Sequence, residues 1–199
     1  MINFNCVRVW CLGKHSAFKA CNKLSPTPLY AILLIHNIKK YLMIKFDKNG
    51  NPQPEGIQEF KYSDFKIFFV ENFDTSISRK QIFEKYEEYV SDFRTQITLE
   101  FKTWVNGSYT TSKIDPNDID VVNIVKHSDE LNNRHDELKA FLTVGGSKEK
   151  YLVDGYFIPV YPTDDPRYVY TQQNLTYWAD WFGHDREKRA KALIELSFV

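Results

Sequence analysis

The sequence lacks several things, and each absence excludes something. No Asp or Glu occurs in residues 1–42, no cysteine follows Cys21, and methionine occurs only as Met1 and Met43. No apolar run approaches the roughly 18 residues a membrane-spanning helix needs; the longest, Leu29 to Ile35, has seven. Net charge is also missing, because 26 Lys and Arg balance 26 Asp and Glu. That balance argues against a protein that grips nucleic acid by bulk charge. What is present is a large apolar stock: 43% of the 199 residues are hydrophobic and 16% aromatic. One domain with a substantial core follows, and global disorder is excluded.

The zero net charge hides an asymmetry. Six of the basic residues lie in 1–42 (Arg8, Lys14, Lys19, Lys23, Lys39, Lys40), so residues 43–199 carry 20 bases against all 26 acids, a net −6. All three cysteines, Cys6, Cys11 and Cys21, share the first segment. The break at Met43 has three readings: a basic targeting extension, a small metal site built from the cysteines and His15, or translation that begins at Met43. A single Arg, a late apolar stretch and no small-residue cleavage site weigh against targeting. The lack of a C-x-x-C pair weighs against zinc. The expected organisation is an N-terminal extension, 1–42, and one folded domain, 43–199. Without the first segment no cysteine remains, which fits a reducing cytoplasm.

Residues 47–56, DKNGNPQPEG, read as an entry loop. Residues 60–73 are aromatic-rich and carry no single period. A helix is predicted from Ser78 as N-cap, with Ile82, Phe83, Tyr86, Tyr89, Val90, Phe93 and Ile97 on one face. Strands are predicted over 98–105 (Leu99, Phe101 and Val105 on one side), 119–125, 151–161 and 192–198, and helices over 128–142 and 172–182. Helix and strand interleave, so the class is α+β or α/β: a small mixed sheet packed by helices.

The segment W-V-N-G-S-Y-T-T-S-K-I-D-P-N-D-I-D-V-V, Trp104 to Val122, carries the chemistry. Asp118 and Asp120 enter an apolar strand two residues apart, so both side chains share one face. Two such carboxylates suit divalent cations. Gly107-Ser108 closes the preceding strand; a glycine lets backbone amides approach a phosphate and the serine hydroxyl adds a donor. Asp154 interrupts the apolar strand 151–161, where an unpaired charge is costly. If that strand lies beside the Asp118–Asp120 strand, three acids converge in the manner of a phosphoryl or nucleotidyl transfer site. Asp occurs 14 times, so a D-x-D pair arises about once by chance; only the context gives it meaning. The competing reading is that Asp115, Asp118 and Asp120 cap backbone amides at turns.

This segment resembles the signature of the polymerase-β-type nucleotidyltransferase superfamily. More narrowly, the chain is similar to a small, mostly bacterial nucleotidyltransferase-like family with a G-N-x-x-P-x-G-I leader and a W-x-x-x-F-G-x-D-R segment near the end. Here these are Gly50 to Ile57 and Trp178 to Arg186. The resemblance spans about residues 43–199. It implies a minimal nucleotidyltransferase fold that binds an NTP substrate. Gly107, Ser108 and Lys113 hold its phosphates. Asp118, Asp120 and Asp154 ligate two Mg²⁺, or Mn²⁺ in their place. Asp154 also serves as base for an unidentified hydroxyl acceptor on protein, RNA or a small molecule. The chain departs from the superfamily pattern in having no base directly after Gly-Ser; Lys113 is the first. The alternative is an inactive partner or regulatory module, as in a defence or toxin–antitoxin pair.

Other residues have plainer readings. His135 falls on the apolar stripe of 128–142 and is expected to be packed, while His127 precedes that helix. Trp178, Trp181 and Phe182 are at helical spacing and are expected in the core. The cluster His184 to Arg189 reads as a solvated connection, with Arg186 as a phosphate contact in the sharper reading. Residues 161–170 read as a loop lining the cleft.

Overall fold

The protein's structure is a computed structural model, and it describes residues 44–199. The readings of Cys6, Cys11, Cys21, His15 and the 1–42 extension lie outside the described residues. A two-stranded ribbon, β1 (Lys45–Phe46) and β2 (Pro52–Gln53), precedes a five-stranded mixed sheet. The sheet's strands are β3 (Gly56–Phe60), β4 (Phe101–Asn106), β5 (Ile119–Lys126), β6 (Val153–Val160) and β7 (Ala192–Phe198), in the order β3-β7-β4-β5-β6. The outer pairs β3–β7 and β5–β6 are parallel, and the inner pairs β7–β4 and β4–β5 are antiparallel. Helices are α1 (Tyr62–Lys66), running into a π turn over Ile67–Glu71, α2 (Arg79–Gln96), short α3 (Asp129–Asn132), α4 (His135–Lys139) and α5 (Ser147–Tyr151), and α6 (Tyr168–Phe182). The expected α+β class is what the chain adopts.

The period-two alternation of β5 sorts its residues between two layers. Ile119, Val121 and Val125 join the large core with Ile82, Phe83, Tyr86, Tyr89 and Phe93 of α2. Val122 faces the other way, into a smaller core with Trp104, Ile158, Phe182 and Leu193, against which Leu175, Trp178 and Ala179 of α6 pack. Each fully buried aromatic of α2 contributes about 1.5–3 kcal/mol of burial free energy. The sheet is therefore covered on both faces, and Asp118 and Asp120 share the α6 side with Val122.

Two expectations about helices need correction. Ser78 does not cap α2: its hydroxyl donates to the Pro116 carbonyl at 2.7 Å. Ser76 caps instead, accepting from the amide of Arg79 at 3.1 Å, while Asp115 accepts from the amide of Ile77 at 2.8 Å. The continuous helix over 128–142 is broken. Ser128 caps a single turn by accepting from the Leu131 amide at 3.1 Å, and Arg134, at φ −104° and ψ 30°, leaves helical geometry. Leu99 precedes β4 and is exposed, so it does not share a side with Phe101 and Val105.

Among the described residues, the outer edge of β6 meets hydroxyls and not another strand. Ser147 donates to the Val153 carbonyl at 2.8 Å and Thr171 to that of Pro159 at 3.1 Å, and the Thr143 hydroxyl, which donates to Asp154, lies 3.2 Å from the Gly155 carbonyl.

Candidate functional site

The register places Asn106, Asp120 and Asp154 side by side on β4, β5 and β6. All three line one cleft of about 920 Å³, together with Asp118, Gly107, Ser108 and Lys113. Every residue the sequence marked for this chemistry therefore meets in one place. Asp115 alone follows the turn-capping reading. Asp118 and Asp120 accept from no backbone amide among the described residues.

Gly107 stands at φ +79°, a left-handed conformation that favours glycine. A Cβ there would collide with the carboxylate of Asp120. The glycine thus lets the end of β4 close over the acid, and a short 3₁₀ turn, Ser108–Thr110, leads away. Lys113 lines the cleft and is itself exposed, with no ion pair among the described residues.

Burial pushes the Asp120 carboxyl up to about 6, with the nearby charges of Asp118 and Asp154 adding to the rise. Lys148, on α5, answers that negative charge: its ammonium lies 2.5 Å from Asp118 Oδ2 and 3.7 Å from Asp154 Oδ2. Its own pKa is raised, chiefly by the hydrogen bond to Asp118. The Thr143 hydroxyl donates to the other Asp154 oxygen and fixes that carboxylate's orientation.

A second cation is deeper. Lys191 is 4% exposed, precedes β7, and donates to Asn106 Oδ1. Burial lowers its pKa to about 8, against an upward pull from Asp120. Asn106 also accepts from the amide of Gly107 and donates to the Phe182 carbonyl, so it ties the glycine turn, the lysine and the end of α6 together. Lys191 lines the same cleft as Gly107 and Ser108.

The leader and the terminal segment meet over the cleft. The Asn51 side-chain amide donates to Asp185 at 2.8 Å, and Arg189 Nε donates to the same carboxylate at 2.6 Å. Burial acts to raise Asp185, but hydrogen bonds from Asn51 and from the backbone and side chain of Arg189 outweigh it and hold the carboxyl well below the usual range. Residues 184–189 are therefore an organised rim of the cleft and not merely a solvated connection; Arg186 lines it.

Arg79 braces the site from below. It is fully buried, and its guanidinium donates to the carbonyls of Phe69 and Tyr109 at 2.7 Å, Thr111 at 2.7 Å and Lys113 at 2.6 Å. The loop from Ser108 to Asp118 is thus clamped to the start of α2. Helical spacing from Ile82, Phe83 and Tyr86 places residue 79 on the buried stripe, a signal for its burial that the sequence reading missed, though not for the carbonyls it binds. Lys148 and Lys191 carry no local signal; only sheet topology brings them in.

Other expectations fail. His135 is exposed because the helix is broken before it, and it lines a separate cavity of about 490 Å³ with His127 and Tyr161. Trp178 is partly buried and Phe182 buried, but Trp181 is 57% exposed and stands on the cleft wall. Of residues 161–170, none lines the acid cleft.

Among the described residues, no three Asp, Glu, His or Cys side chains are gathered closely enough to close on one ion; the Lys148 ammonium lies against Asp118 and near Asp154. The donor chemistry nonetheless fits a hard cation: carboxylate oxygens crowded in one cleft, whose mutual repulsion a cation would relieve, with an ammonium already drawn to them.

Fold and site together define a mixed α+β domain with an acid-floored, cation-rimmed cleft at one end of its sheet. The chain belongs to the family described as "Family of unknown function (DUF6932)", whose model matches residues 44–197. No curated protein and no solved structure matches it.

Proposed function

We propose that the cleft binds an NTP with Mg²⁺ and transfers its nucleotidyl group to a hydroxyl acceptor. The observation that carries this reading is the row Asn106–Asp120–Asp154 across three paired strands, with Asp118 in the same cleft and Gly107 packed on Asp120. Asp118, Asp120 and Asp154 would hold the cations, and bound Mg²⁺ supplies neutralisation of charge at the α-phosphate. Lys191 and the Ser108 hydroxyl face the phosphates. Lys148, now paired with Asp118, would be free to pair with the phosphates if a cation took its place on that carboxylate. The acceptor oxygen forms a bond to the α-phosphorus as the bond to the β-phosphate oxygen breaks and pyrophosphate leaves. The acceptor's proton passes to Asp154, whose carboxylate Thr143 orients.

The test is transfer of label from an α-³²P-labelled NTP to acceptors in a cell extract, with Mn²⁺ binding by calorimetry as an independent readout. Asp118→Asn and Asp120→Asn should each abolish transfer and weaken Mn²⁺ binding about tenfold or more, with the circular dichroism spectrum unchanged. Full activity in both variants refutes the proposal.

A further inference from the structure

We propose that Trp181 and Tyr177 form a stacking ledge for the nucleobase, an inference that rests on the nucleotidyl-transfer reading of the same cleft. Trp181 stands on the cleft wall with 57% of its surface exposed, although Trp104, on the same side of the sheet, is 4% exposed. Tyr177, one turn earlier on α6, is 58% exposed, and the two rings lie nearly parallel, 12° apart with centroids 6.4 Å apart. Residues four apart on a helix share a face, so the two exposed rings stand on one side of α6, with Trp181 lining the cleft and Tyr177 just outside it. Trp178 between them points inward, with its ring 4.4 Å from that of Tyr156. The helix therefore presents one tryptophan to the core and holds the next out at the cleft.

A second observation puts a cation beside the Trp181 ring. Lys188 has φ 61°, a backbone state costly for a residue with a side chain. Its amide is held by the Asp185 carbonyl at 3.0 Å. That turn carries the Lys188 ammonium to 5.6 Å from the Trp181 ring centroid. A cation is thus poised over an exposed π face, on the rim that Asp185 and Arg189 organise. The acids and Trp181 line one cleft of about 920 Å³, so a nucleotide with its phosphates at the acid end would direct its base toward this rim. A ledge of rings reads the flat face of a base and not its edges. All four bases are accepted, and purines bind more tightly because they offer more stacking area.

The experiment is calorimetry on the full chain with Mg²⁺ and two probes, α,β-methylene-ATP and inorganic tripolyphosphate, the second lacking a base. The wild type should bind the nucleotide about tenfold more tightly than tripolyphosphate. Trp181→Ala should lose about that factor for the nucleotide and nothing for tripolyphosphate, and Trp181→Phe should retain most of it. If Trp181→Ala binds the nucleotide as the wild type does, or if the wild type binds both probes equally, the ledge is overturned while the cleft reading stands. If neither probe binds the wild type, the cleft reading fails and the ledge with it.

Discussion

Two buried cations bond the chain around the Gly107-Ser108 turn, Lys191 just before it at Asn106 and Arg79 just after it at Tyr109, and they are held differently. Arg79 is fully buried, with its guanidinium spent on four or more carbonyls of the loops it joins and stacked 3.7 Å from the Phe73 ring centroid. Burial still lowers its pKa, to about 10. Lys191 is nearly as buried, but its one side-chain hydrogen-bond partner among the described residues is Asn106, and it faces the cleft. A buried charge whose donors all end on the chain is scaffold. One with donors left over, facing the cleft and drawn to Asp120, has room to pair with a bound anion.

Removing the two charges in turn breaks or sharpens that contrast. Arg79→Met orphans several buried carbonyls, so it should cost about 3–5 kcal/mol of stability, read as a fall in Tm. Asp120→Asn comes next. The folded-state pKa of Asp120, about 6, lies above the ordinary 3.8. The ionised form is therefore a burden in the native state above pH 6, and the burden vanishes below pH 4. Without divalent cations, stability of the wild type relative to Asp120→Asn should rise on the order of 3 kcal/mol as pH falls from 7 to 4. Urea titrations at several pH values check this, and a flat difference removes the claim that Asp120 is strained by charge. Gly107→Ala must push Asp120 aside, which should cost about 2 kcal/mol and Mn²⁺ binding as well. The smallest stability effect belongs to Lys191→Met, at most about 1 kcal/mol in either direction, yet tripolyphosphate binding should drop about tenfold or more. A Lys191 variant as unstable as the Arg79 variant would erase the distinction.

Much of this architecture was legible and some was not, for identifiable reasons. The strands that became β4 to β7 and the helix α2 carry clear periods, and the D-x-D entry with Gly-Ser upstream led to residues that share the cleft. The pairing of β5 with β6 could only be posed as a condition, because register between strands about 30 residues apart leaves no local trace. The same holds for β7, last in the chain yet second in the sheet. Residues 60–73 resisted assignment because an edge strand, a short helix and a π turn follow one another there, each too brief for a period to emerge. The 128–142 stripe misled because its leucines keep helical spacing across Asn132, Asn133 and Arg134, where the backbone turns away. Trp181 misled because helical spacing says which residues are neighbours and not which of them a neighbouring layer covers.

The hydroxyls of Ser147, Thr143 and Thr171 along β6 have a consequence for colloidal behaviour. An open strand rim is a template on which a second molecule can grow fibrils. Here threonine and serine occupy carbonyls that such a molecule would need, and Pro159 has no amide to offer it. Replacing Thr171 by valine would uncover the Pro159 carbonyl with almost no change in volume. Turbidity in concentrated solution would rise, and the thermal transition of the dilute protein would fall as well, because the Tyr161 amide also loses its acceptor in the buried Thr171 hydroxyl.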